Sequence, residues 1–288
     1  MDIIRVFPRR TSYTPIDDMA FVGRAPLTRP EADEVHVSCT FTWDKPVAED
    51  LAADWGKYYD TVKVGGPAYD AHGEFFAAGV YVKTGAVMTS RGCPNKCWYC
   101  FVPGREGALR LLPIVDGYDI LDNNLLACPK YHIDKVLDML ERQGRGCRFG
   151  GGLEARLLTE DFVWRLSKIG VSQAFFAYDR PGDVDACKRA FRMMREAGFS
   201  RNKVCCYVLV GYKDDTQDKA RKRLEWVCSQ GATPFAMYYR TADVKSTIPG
   251  TWKQFVRVWS RPAAIWSQYR DSIASGRKKE SHNTLWRT

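Results

Sequence analysis

Between Ala86 and Arg240, short runs of β-branched and aromatic residues alternate with segments of helical period, and this confines the chain to βα units around a parallel sheet. Ala86–Thr89 reads as the first strand and Gly117–Asp122 as the second, followed by a helix over Ile133–Gln143. Cys147–Gly150 is the third strand, with a helix over Thr159–Ile169, and Val171–Tyr178 is the fourth, with a helix over Asp183–Ala197. Val204–Val210 is the fifth, with a helix over Thr216–Gln230, and Thr233–Arg240 supplies a sixth. Ile133, Val136, Leu137 and Leu140 share one helical face, and Gly144 and Gly146 end it. Thr159 before Glu160 and Asp161 reads as a cap, with acidic residues where the helix dipole favours them. Spacing by itself gives an α/β fold class.

Residues 1–80 read as a separate small α/β domain, 81–240 as the main α/β domain, and 241–288 as a basic, aromatic-rich helical extension. In the first, Glu34–Phe41 alternates like a strand, Pro46–Tyr59 reads as a helix, and Thr61–Gly66 is a strand closing on glycines. In the last, Trp252, Val256, Trp259, Ala263 and Trp266 recur at helical spacing around Pro262, a pattern of packing rather than of base stacking, and Gly276–His282 reads as a mobile tail. From Arg240 to Thr288 there are ten Lys or Arg against three Asp or Glu, which concentrates the net charge of +9 in this segment. Such a segment marks a nucleic-acid contact or a solvated helix face.

With 45% hydrophobic and 27% charged residues, the chain has the composition of an ordinary globular protein. No apolar run approaches the roughly 18 residues that span a bilayer, and the apolar stretch at Met1–Arg10 is too short for a signal peptide. A cytoplasmic protein with no membrane partner is therefore expected. Ten cysteines without paired spacing are not a secreted disulfide framework. Cys205 and Cys206 lie in an apolar strand, and Cys187 and Cys228 in helical patterns, where a thiol acts as a small hydrophobe. A second metal cluster is not expected.

Cys93, Cys97 and Cys100 stand apart, in Thr89-Ser-Arg-Gly-Cys-Pro-Asn-Lys-Cys-Trp-Tyr-Cys100. Gly92 and Pro94 break the preceding strand, so the thiols fall on a loop at a strand's carboxyl end, where α/β folds bind ligands. Three thiolates can hold three irons of a cubane cluster and leave the fourth open to activate a small molecule. The rival is zinc completed by Cys128, Cys147 or His132. That would make the chain a non-catalytic iron–sulfur or zinc protein, a redox sensor or interaction module. Zinc knuckles pair cysteines as C-x2-C and repeat the pair, and this chain has no second such pair.

The Cys-x3-Cys-x-aromatic-Cys arrangement resembles that of the radical S-adenosylmethionine (SAM) superfamily, and the six βα units match its partial (β/α)6 barrel. The resemblance implies a [4Fe-4S] cluster on Cys93, Cys97 and Cys100 whose open iron binds the amino and carboxylate groups of SAM. Reduction by a flavodoxin or ferredoxin would cleave SAM to methionine and a 5′-deoxyadenosyl radical, which abstracts hydrogen from a substrate. A nucleic acid, tRNA or DNA, is the preferred substrate, with a peptide or small metabolite beside it.

The resemblance also aims residues at SAM. Asp122, Asn123 and Asn124 stand after the second strand, where many members carry Gly-Gly-Glu for the amino group; this chain departs from that pattern, and an Asx turn is the rival reading. Arg156 would meet the SAM carboxylate or substrate, with a salt bridge to Glu154 or Asp179 as its rival. Tyr178 and Asp179 would meet the ribose, Gly211 the adenine, and Tyr99 the adenine through its backbone, while Trp98 would shield the cluster. The segment before the barrel resembles a shortened Rossmann-like domain of cobalamin-dependent members, and Asp70-Ala-His72-Gly73 is similar to a cobalamin-ligating motif. The domain is short and the motif follows its second strand, so cobalamin is not expected.

Overall fold

The computed structural model describes residues 1–69, 79–241, 243 and 245–274. The cobalamin-like motif at Asp70–Gly73 and the basic tail at Gly276–His282 lie outside them. The chain is mixed α/β with parallel sheets and divides into two compact units, Met1–Leu112 with Thr241–Ser246, and Pro113–Arg240 with Thr247–Thr288. Among the described residues no helix is long and apolar enough to cross a membrane.

In the first unit, β1 (Ile3–Phe7), β2 (Ala20–Val22), β3 (Glu34–Ser38) and β4 (Val62–Gly65) form a parallel sheet in the order β2-β1-β3-β4. Alternation fixes its two faces. Ile4, Val6, Val35 and Val37 are fully buried in one core with Ala48, Leu51 and Trp55 of α1 (Lys45–Trp55). Glu34 and His36 alternate with those valines. Strand β3 stops at Ser38, short of the predicted Phe41, because Thr42–Asp44 coils into a 3-10 turn that leads into α1. Strands β1 and β2 have no counterpart in the sequence reading. Arg5 interrupts the apolar run of β1, and it ion-pairs with Asp17.

Three short elements follow in the same unit: β5 (Ala86–Val87), β6 (Ser90–Arg91) and, after α2 (Val102–Arg105), β7 (Arg110–Leu111). The predicted strand Ala86–Thr89 thus covers only β5, because the chain turns at once into β6, which pairs antiparallel with β7.

The second unit carries β8 (Asp119–Ile120), β9 (Cys147–Phe149), β10 (Val171–Ala177), β11 (Val204–Val210) and β12 (Thr233–Tyr238), paired in parallel in that order. The helices α3 (Lys130–Gln143), α4 (Glu160–Ile169), α5 (Val184–Glu196) and α6 (Gln217–Ser229) connect them, as the alternation predicts. Helix α3 begins three residues before the predicted Ile133, because Pro129 sits at its N-cap with extended ψ. Aromatic pairs mark the helix-facing side: Phe149 with Phe162 of α4, Phe176 with Phe191 of α5, and Tyr178 with Trp226 of α6. Register places Phe175 beside Tyr207 (4.7 Å, stacked) and Phe235 (5.5 Å), with the Arg148 guanidinium 4.8 Å from the Phe175 ring.

Pro262 opens a second helix, so the C-terminal stripe is split between α7 (Gly250–Val258) and α8 (Pro262–Ala274). It is packing surface: Trp252 lies 5.4 Å from Tyr238, the Trp259 carbonyl accepts from Ala236 N–H at 3.0 Å, and Arg201 covers Trp266.

Candidate metal and SAM site

The loop from Gly92 to Leu109 carries Cys93, Cys97 and Cys100, and its two stems are locked together. Strands β6 and β7 pair, the Leu112 N–H donates to the Thr89 carbonyl at 2.9 Å, and Glu106 ion-pairs with Arg91 and Arg110. Thr89 and Ser90 are buried at the root. Gly92 has φ of +83°, and a Cβ there would stand 2.2 Å from the Ala108 carbonyl oxygen, so only glycine closes the loop. Within it the Cys100 N–H donates to the Cys97 carbonyl at 3.0 Å, a turn that carries two of the thiols.

Burial separates these three cysteines from the other seven. Cys93, Cys97 and Cys100 are partly exposed and in no disulfide, while Cys39, Cys128, Cys147, Cys187, Cys205, Cys206 and Cys228 are all buried. Burial pushes the Cys39 thiol up to about 11 and those of Cys147 and Cys205 to about 12, and raises those of Cys206 and Cys228 as well. Metal ligation needs thiolate, so Cys39, Cys147, Cys205, Cys206 and Cys228 are poor ligands and pack as hydrophobes. Three accessible thiols within eight residues, on a loop whose stem is braced, fit the donor set of an iron–sulfur cluster. Trp98 is 52% exposed and stands edge-on to Tyr99 at 4.9 Å, so solvent reaches much of its ring.

In the second unit, the residues after β8 and β9 meet through one carboxylate. Glu154 accepts from Asn124 Nδ2 at 2.6 Å and pairs with Arg156 at 2.5 Å. This is the salt-bridge partner that the sequence offered for Arg156, whose side chain is still 46% exposed. Arg189 of α5 anchors the same turn by donating to the Arg156 carbonyl at 2.9 Å. Asp122 is buried beside Cys128 and His132. Tyr178 is fully buried against Trp226, on the helix side, so its ring is committed to packing and its main chain to β11 (Tyr178 N–H to Tyr207 carbonyl, 2.8 Å). Asp179 accepts from the Leu209 N–H at 2.9 Å and ties the ends of β10 and β11.

Gly211 ends β11 with φ of +77°, where a Cβ would stand 2.2 Å from the Tyr238 ring. Its N–H donates to Asp215 at 2.8 Å, and Asp215 forms a buried ion pair with Arg223 of α6 (2.7 Å). Sequence reasoning missed this brace; its only trace is an arginine among the inward-facing residues of α6, beside Ala220, Leu224 and Val227.

A second polar network lies in the first unit. His36 sits between the Tyr81 hydroxyl (2.6 Å, at Nδ1) and Glu34 (2.7 Å, at Nε2), and Lys63 donates to both Glu34 oxygens at 2.7 and 2.6 Å. Lys63, and then His36, hold the Glu34 carboxyl below its ordinary range, while burial pushes the Tyr81 phenol up to about 12. The alternating polar positions of β3 were the signal available for this network.

No protein-family model and no curated sequence matches the chain. Its fold is similar to that of a solved radical S-adenosylmethionine methyltransferase, TsrM from Kitasatospora setae, a structure with cobalamin and a [4Fe-4S] cluster bound. The TM-score is 0.59 at 12% identity, over 83% of this chain and 75% of TsrM, so the likeness is one of fold.

Proposed function

We propose that this chain is a radical SAM enzyme with a partial (β/α)6 barrel, in which Cys93, Cys97 and Cys100 hold a [4Fe-4S] cluster. The observation that carries this reading is the contrast between three accessible loop thiols and seven buried ones, on a fold similar to that of a radical SAM protein. A bound cluster would supply one electron to SAM, releasing methionine and a 5′-deoxyadenosyl radical that becomes 5′-deoxyadenosine on taking a substrate hydrogen. A flavodoxin or ferredoxin would restore the electron.

The chain's own residues would bind and orient. The half-exposed Arg156, held by Glu154, is suited to a carboxylate. Asn123 and Asn124 offer amide oxygens to an ammonium, and the backbone around Gly211 and Tyr99 offers polar groups to adenine. Tyr178, its ring packed on Trp226 and its N–H bonded to β11, and Asp179, bonded to the Leu209 N–H, chiefly brace the strand ends.

A second reading is methyl transfer from SAM. It is favoured by the methyltransferase TsrM, whose bound cobalamin also stands in tension with the expectation of none here. One experiment separates the readings: anaerobic reconstitution, reduction, addition of SAM, and chromatography of the products. 5′-Deoxyadenosine supports radical cleavage and S-adenosylhomocysteine supports methyl transfer. Four bound irons with neither product would instead favour a sensor or binding role. Replacement of any one of the three cysteines by Ala is expected to abolish iron-dependent turnover, and an undiminished variant would remove the core of the proposal.

A further inference from the structure

The loop that carries Cys93, Cys97 and Cys100 also presents a cationic and aromatic surface. From Thr84 to Leu112 the chain holds four basic residues, Arg91, Lys96, Arg105 and Arg110, against one acid, Glu106. Glu106 is turned to the stem: its side chain is 14% exposed and pairs with Arg91 and Arg110, so the segment keeps a net positive charge. Lys96 is exposed between Cys93 and Cys97, and the Arg110 side chain is 41% exposed. Large apolar side chains face solvent among these cations, Trp98 at 52%, Phe101 at 38% and Leu111 at 37%. The Arg105 guanidinium lies 4.7 Å from the Phe101 ring, one turn of α2 away. The three thiols are partly exposed on the same loop.

Exposed apolar side chains rimmed by polar ones mark interaction surfaces, and aromatic residues with arginine are the types that interfaces favour. The charge says what could dock here, since a cationic surface attracts an acidic partner and repels a basic one. Nucleic acid and an acidic protein both qualify on charge alone. A nucleic acid is gripped through many phosphates along a basic stripe, whereas these cations are confined to one loop and its stem. The thiols decide the rest. A cluster held by them takes an electron from outside for each SAM cleaved, and partly exposed ligands leave little protein for that electron to cross. Electron-transfer encounters are small and transient, burying less than about 1,200 Å², which is the scale that one loop can offer.

We infer that Lys96, Trp98, Phe101, Arg105 and Arg110 form the docking surface for an acidic one-electron carrier protein. Lys96 and Arg105 steer the encounter through their charge. Trp98 and Phe101 lose water when the partner seats. The need for an electron rests on the radical SAM reading, whereas docking is measurable with no SAM present.

The test titrates the full chain with an oxidised flavodoxin of acidic surface, by calorimetry at low salt. Weak binding that added salt abolishes is expected. Lys96→Glu combined with Arg105→Glu should weaken it by about tenfold or more, while Lys188→Glu on α5, in the other unit, should change it by less than about twofold. Carbodiimide coupling of the unsubstituted proteins should join flavodoxin carboxylates to the Lys96 amine, a readout that stands even if the double variant folds poorly. Binding that the two substitutions leave unchanged, cross-links at other lysines only, or a loop that binds tRNA but not flavodoxin would overturn the inference. Absence of flavodoxin binding by protein that cleaves SAM under dithionite would sink this inference and leave the proposed function standing. Docking at Lys96 by a chain that cleaves no SAM when loaded with iron and reduced would keep the surface and sink that function.

Discussion

A methyl group on residue 92 would have nowhere to go, since the Ala108 carbonyl carbon and oxygen occupy its space and φ is already +83°. Gly92→Ala combines a left-handed backbone penalty of about 1–2 kcal/mol with overpacking of about 1–3 kcal/mol. The stem of the thiol loop should open, so the expected outcome is lower iron per chain after reconstitution, with a lower melting temperature. Full iron loading at unchanged stability would show that the loop tolerates another path. Glu34 makes a prediction of a different kind. Its carboxyl is depressed chiefly by the Lys63 hydrogen bonds, then by His36. A depressed carboxylate stabilises fully above its unfolded value, here 4.5, and the contribution is lost as pH falls through the lower folded value. Urea denaturation followed from pH 7 to pH 3 should therefore show a stability loss below about pH 4.5 that is smaller in Glu34→Gln. Parallel curves for the two proteins would remove this linkage.

The order of strands and helices from β8 to β12 was legible because each apolar run and each amphipathic segment carries its own period. Element ends were less so. Pro129 starts α3 through backbone geometry at Lys130, before the first apolar residue, Ile133, that pattern reading seizes on. Strand β1 was hidden by Arg5, whose charge is met by Asp17, a partner on a neighbouring loop. Of the site, the three loop thiols were legible as a spacing. The orientation of Tyr178 was not, since which face a strand-end side chain takes depends on the helix opposite, here Trp226 of α6. The Asp215–Arg223 pair was invisible for the same reason, being made only when α6 folds back on the end of β11. Both side chains are nearly excluded from solvent, at 8% and 4% exposed. Asp215→Asn should then cost about 3–5 kcal/mol by leaving the guanidinium buried without its counter-charge. Adding Arg223→Met should recover much of that in a denaturation midpoint, whereas strictly additive losses would mean the two act separately.

The first unit keeps its Glu34–His36–Lys63 network within β3 and β4, whereas in the second the Asp215–Arg223 pair lies beyond the end of β11. Charge is distributed less evenly. The segment Gly276–Thr288 holds four of the chain's Lys and Arg against one acidic residue. A nucleic-acid substrate would meet such a segment through its phosphates, and that contact has a signature that a solvated helix face lacks, the release of counterions. Binding of unmodified tRNA, followed by fluorescence anisotropy across a salt series, should weaken linearly on a logarithmic plot. Each phosphate contact adds a slope of about 0.7 to 0.9. Deleting 276–288 should flatten the slope by up to about 3 in consequence, while the cysteines at 93, 97 and 100 stay intact. Cluster content measured on the same truncated protein guards against general damage. If tRNA and duplex DNA both fail to bind at low salt, or bind with a slope that the deletion leaves unchanged, the basic segment is not a nucleic-acid contact. Under the proposed radical chemistry, the search for a substrate would then move to peptides and small metabolites.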